Sequence, residues 1–182
     1  MSYENLLVYR LAVTIYDANE QFYKKFLKEY AHKRLVEQMT HAARSGKQNI
    51  VEGVLEKSME SGLKLVGVGR ASFGELLEDY KDFIRSHKYN LWDKNDPRVV
   101  KIRTFKEDTA NVTNLANIAS WTNLDLEKPE EYANIMVCLL FKENYLLDRF
   151  YKSLEEQFIK EGGFRENLFK KRLDYKKTNL SN

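Results

Sequence analysis

The sequence holds one cysteine, Cys138, among its 182 residues. A single thiol excludes an internal disulfide and points to a reducing compartment, so a cytoplasmic protein is expected. Prolines are equally scarce, with Pro97 and Pro129 the two present. The long stretches between them carry no obligate breaker, which favours helices over strands. Histidine occurs at His32, His41 and His87. The one Glu-x-x-His pair, Glu29 with His32, falls at a helix boundary. A di-metal bundle needs two such inward pairs and two further glutamates, so no metal site is expected. No apolar run reaches about 18 residues and no leader pattern opens the chain, so neither a membrane span nor a signal peptide is expected. The glycines follow no dinucleotide or P-loop spacing after a strand. No serine sits in a nucleophile elbow, and nothing places a base beside Cys138. The expectation is a protein without catalytic residues, metal or cofactor.

What is present is helical periodicity. Leu7, Leu11, Ile15, Ala18, Phe22 and Phe26 recur at three- and four-residue steps, which predicts a first helix over about 5–30. A second is expected over about 32–56. A third begins after Ser58, a suitable N-cap, and runs to about 87. Asp96-Pro97 reads as a cap with proline at the first helical position, opening a less regular helical segment over about 97–121. Pro129-Glu130-Glu131 starts the last long helix, with acids where the helix dipole favours them, and Gly162-Gly163 stops it. These elements predict an all-α fold. It is an up-down four-helix bundle over 1–163, with an additional helical segment between the third and last long helices, followed by a C-terminal tail over 164–182. The last helix is apolar around most of its circumference, from Tyr132 through Tyr151. Such a helix is buried on more than one side, either under the 97–121 segment or under another subunit.

The segment HAARSGKQNIVEG (His41–Gly53) holds two glycines inside a helical pattern. Each costs about 1 kcal/mol against alanine, so close approach of a neighbouring helix is the expected compensation. On a wheel, Leu35, Met39, Ala42, Ala43, Gly46, Ile50 and Gly53 share a face. The third helix offers Met59, Gly62, Leu63, Val66, Arg70, Phe73, Leu77, Tyr80 and Ile84, with Gly67, Gly69 and Gly74 beside them. The expected packing positions are Gly46, Gly53, Gly62, Gly67 and Gly74. Arg70 is the one charge on that stripe. It reads as buried, within a hydrogen-bond network involving Asn49 or an acid of another helix, or as an anion site. Glu78, Asp79 and Asp82 read as a solvated acidic face beside Lys81 and Arg85.

The net charge of +3 is unevenly spread. From Gly162 onward, six lysines and arginines face Glu166 and Asp174, a local balance of +4 that leaves the rest of the chain at −1. FRENLFKKRLDYKK (Phe164–Lys177) mixes aromatics with such a cluster. Aromatic and basic side chains together can stack bases and meet phosphates. The other reading, preferred here, has Phe164, Leu168 and Phe169 docking the tail onto the bundle with the cations outward.

ARSGKQNIVEG (Ala43–Gly53) followed by GVGRASFGELLEDYKDFIR (Gly67–Arg85) resembles signature segments of the bacterial four-helix bundle proteins. That family includes the ribosomal-RNA intervening-sequence proteins and is related to the accessory variability proteins of diversity-generating retroelements. LLVYRLAVTIYD, LWDKNDPRV, NYLLDRF and EGGFRE look like the subgroup called the four-helix-bundle suffix domain. The resemblance spans nearly the whole chain. It implies a helical bundle that assembles as a homo-oligomer, often a pentameric ring, without enzymatic activity. It also implies RNA and protein partners met through a positive surface. The residues expected to meet nucleic acid are Arg44, Lys47, Arg70, Arg165, Lys170, Lys171 and Arg172. The runner-up expectation is a purely structural self-assembling protein.

Overall fold

Helix boundaries follow local chemistry. In the computed structural model, which describes residues 2–105 and 115–180, Ser58 accepts a hydrogen bond from the Ser61 amide at 3.4 Å and opens a helix over Met59–Ser86. Asp96 accepts from the Arg98 amide at 2.9 Å ahead of Pro97. Gly162 stops the last long helix at φ +77°, a conformation that suits glycine, with its amide on the Phe158 carbonyl at 2.9 Å. In chain order the helices are α1 (Leu7–Phe26), α2 (Lys33–Leu55), α3 (Met59–Ser86), α4 (Pro97–Thr104), α5 (Leu115–Thr122), α6 (Pro129–Glu161) and α7 (Phe164–Leu180).

The fold is all-α, with no strand among the described residues. The first helix ends earlier than its periodicity suggests. At Leu27 the backbone leaves helical geometry and the side chain turns into the core, and a short 3₁₀ turn over Tyr30–His32 completes the reversal. The irregular segment expected over 97–121 comprises α4 and α5; the part from 106 to 114 lies outside the described residues, as does the Trp121 side chain.

The long helices α1, α2, α3 and α6 enclose the core. α1 and α3 each pack against both α2 and α6. Gly46 meets Gly69 while Gly53 meets Gly62, so α2 and α3 run antiparallel. Arg70 meets Asp148 while Asn90 meets Glu130, so α3 and α6 do too. Phe22 lies at the centre, with ring centroids of Tyr80, Phe83, Phe26 and Tyr132 4.9–5.4 Å away. Burying such rings supplies much of the apolar driving force. α4 packs on α6 and buries Ile102, while Leu115 and Ile118 of α5 join the same core. α4 therefore covers part of the outer face of α6. Phe141 and Tyr145 of that face stay exposed.

At the α2–α3 seam the two backbones approach closely. A Cβ on Gly62 would lie 2.7 Å from the Gly53 carbonyl oxygen, and one on Gly69 3.0 Å from that of Gly46. A Cβ on Gly53 would lie 2.9 Å from Val66. Two expected packing glycines do not belong to this seam. Gly67 faces Tyr151 of α6 at an ordinary 3.8 Å, and nothing stands within 4 Å of a Cβ on Gly74. Their place is taken by Gly69.

Arg70 is also corrected. It is exposed, not buried, and its guanidinium pairs with Asp148 of α6. The reason is one residue of rotation. The stripe against α2 runs through Gly62, Val66, Gly69 and Phe73, which turns position 70 towards α6 and solvent.

Candidate functional site

The C-terminal segment is a helix. Glu166 accepts from the Gly163 amide at 3.1 Å, which caps its first turn. The expected docking of Phe164, Leu168 and Phe169 does not occur. Phe169 is 62% and Tyr175 72% exposed, and Phe164, Leu168 and Leu173 are exposed with them. Arg165, Lys170, Lys171 and Arg172 are exposed beside them. The physical reason lies in the pattern. At 3.6 residues per turn, Phe164, Leu168 and Tyr175 fall on one flank and Phe169 and Leu173 on another. Arg165, Arg172 and Lys176 lie between the two flanks. No single apolar stripe exists to lay onto the bundle. The result is a broad face of rings and leucines with guanidinium and ammonium groups set among them.

The other expected contact residues are dispersed. Arg44 is exposed on α2. Lys47, half-buried, holds its ammonium 4.0 Å from the centroid of the Tyr16 ring, a cation–π contact within the bundle. Arg70 is engaged with Asp148. Among the described residues, no contact joins these three to the cations of α7.

Polar groups in the core were less legible from sequence. Asn19, 1% exposed, donates to the Met39 carbonyl at 3.3 Å and accepts from the Tyr80 hydroxyl at 2.9 Å. The Tyr132 hydroxyl donates to the Ala18 carbonyl at 2.8 Å. Burial raises the pKa of both phenols, so they remain donors at any ordinary pH. Glu143 is wholly buried on α6. Its spacing from Leu139, Leu140 and Leu147 was the signal that could have revealed it. Glu78 and Asp82 of the acidic face pair with Lys81 and Arg85 as expected. Asp79 differs. It is half-buried between α2 and α3, and desolvation, with Asp82 and Glu75 nearby, raises its carboxyl to about 6. Among the described residues no group of three or more His, Cys, Asp or Glu side chains is placed to hold a metal ion. No described helix is long and apolar enough to cross a membrane.

A groove of about 770 Å³ lies between the 91–103 segment and α6. Leu91, Trp92 and Val99 form one wall, and Val137, Cys138 and Phe141 the other. Burial pushes the Cys138 thiol up to about 12, so it is a poor nucleophile at neutral pH.

Compared with known proteins, the chain matches no protein-family model, no curated protein and no solved structure.

Proposed function

We propose that this chain is a non-enzymatic accessory protein that binds RNA through α7, with the helical bundle as its platform. The observation that carries the reading is the exposure of Phe169, Tyr175 and Leu173 beside Arg165, Lys170, Lys171 and Arg172. Rings supply stacking surfaces that any base fits, and the cations meet phosphates. The expectation that the rings instead dock the tail has no counterpart in the structure. The resemblance of ARSGKQNIVEG and GVGRASFGELLEDYKDFIR to bacterial four-helix bundle proteins supports the same reading. It also supports assembly as a homo-oligomeric ring, a pentamer among the options. The cytoplasm is the proposed compartment.

The test is fluorescence anisotropy of a labelled single-stranded RNA with the full chain over a salt series. Affinity should fall steeply with salt. Replacing Lys170, Lys171 and Arg172 with glutamine should reduce the slope of log affinity against log salt by about 2, at roughly 0.7 per phosphate contact on a single strand. Absence of binding at low salt, or an unchanged slope, overturns it.

The same exposed apolar residues favour a second reading, self-assembly without nucleic acid. In that case the triple glutamine variant keeps every binding property, and replacing Phe169 and Leu173 with serine lowers the oligomer mass in light scattering.

A further inference from the structure

The groove beside α6 has features that α7 and its cations do not explain. Its walls are apolar and aromatic, and its volume of about 770 Å³ falls within the range of small-molecule sites. The charged side chains along it are Lys94, Arg103 and Lys142, and no acid lines it among the described residues. Lys142 donates to the Phe105 carbonyl at 2.9 Å. Lys94 and Arg103 have no acidic partner among the described residues.

The wall opposite α6 is held in place. The Asn134 side chain accepts from the Trp92 amide at 2.9 Å and donates to the Asn90 carbonyl at 3.0 Å, which ties the connector to α6. Arg98 lies 4.0 Å from the Trp92 ring centroid and is gripped by Asp96 at 2.7 Å. The indole is thereby fixed at the edge of the groove before any ligand arrives. Asn134 is spent on this task, so the recognition chemistry left is hydrocarbon burial and anion pairing at the rim.

We infer that this groove binds a long-chain carboxylate, with its hydrocarbon along Trp92, Val137 and Phe141 and its head group at Lys94 and Arg103. Charge decides among occupants. The basic α7 of a second copy, at +4 over the tail, would meet unneutralised cations at the rim. A neutral lipid would leave those cations without a counter-charge. An anionic amphiphile satisfies both the walls and the rim.

Cys138 makes the test direct, because it lines the groove and is the one cysteine in the chain. The rate of its alkylation by N-ethylmaleimide is measured on the full chain, with hexadecanoate, shorter carboxylates or hexadecanol present below their micelle concentrations. Circular dichroism runs in parallel to confirm that helicity is kept. Saturating hexadecanoate should slow alkylation at least tenfold. Each methylene removed should raise the half-protective concentration by about fourfold. The exposed-site double variant Lys94→Gln with Arg103→Gln should reduce hexadecanoate to the weaker protection given by hexadecanol. Lack of protection at any chain length overturns the inference. So does equal protection by the alcohol and the acid, or protection by an acidic amphipathic peptide where hexadecanoate gives none. None of these results bears on RNA binding by α7.

Discussion

The edge of the Phe73 ring occupies the space where a side chain on Gly46 would begin, with Cε2 2.7 Å from the ideal Cβ position. At Gly62 the obstacle is backbone, the Gly53 carbonyl oxygen. Gly62→Ala must therefore push α2 and α3 apart, and it should cost about 2–3 kcal/mol. Gly74→Ala enters open space inside a helix and should stabilise by about 0.5–1 kcal/mol. Urea unfolding of the two variants beside the parent checks the pair. Equal effects would contradict the assignment of the seam.

The Tyr80 hydroxyl is the donor to Asn19 Oδ1 deep in the core. Tyr80→Phe keeps the ring and strands that oxygen, so it should cost about 1–3 kcal/mol, the usual penalty of a buried polar atom left unmatched. The same denaturant measurement reads it. A loss under about 0.5 kcal/mol would mean that water or a rotated Asn19 replaces the bond.

Asp79 carries a pH signature. Its carboxyl is raised from 3.8 to about 6 in the folded chain, so the fold holds that proton more tightly than the unfolded chain does. No penalty exists below about pH 4. From there to about pH 6 the unfolded carboxyl ionises while the folded one, in its partly dry site, keeps its proton, and stability falls. Asp79→Asn should match the parent near pH 4 and exceed it by about 1 kcal/mol at pH 7, a figure reduced for solvent screening of a half-buried group. Melting curves across that window test the sign.

Because the described side chains of α7 are exposed or, at Asn167, half-buried, the helix should contribute little to bundle stability. A chain ending at Gly163 should melt within about 2 °C of the full-length protein while losing RNA binding. A fall of more than about 5 °C would show that α7 is part of the core.

The long helices and several of their ends were legible in the sequence, while the early end of α1 and the helical state of the C-terminal tail were not. The legible ends depend on local chemistry: Ser58 and Asp96 as caps, Pro97 and Pro129 at first helical positions, Gly162 at a stop. Gly46, Gly53 and Gly62 were legible as positions that need a close neighbour, because an interior glycine has a local cost that only tertiary contact can offset. The tertiary structure decided everything that turns on angle. The stripe steps from Val66 to Gly69 instead of Arg70, a choice between three- and four-residue steps that periodicity leaves open. Long-range pairing decided the Asn19–Tyr80 bond, since residues 61 positions apart share no local pattern. The exposure of α7 was likewise a tertiary outcome. Phe164, Leu168 and Phe169 read as anchors, yet they are exposed, because the apolar side chains of α7 fall on two separated flanks. The groove beside α6 exists because α4 covers that helix only in part, which no single segment of the chain records.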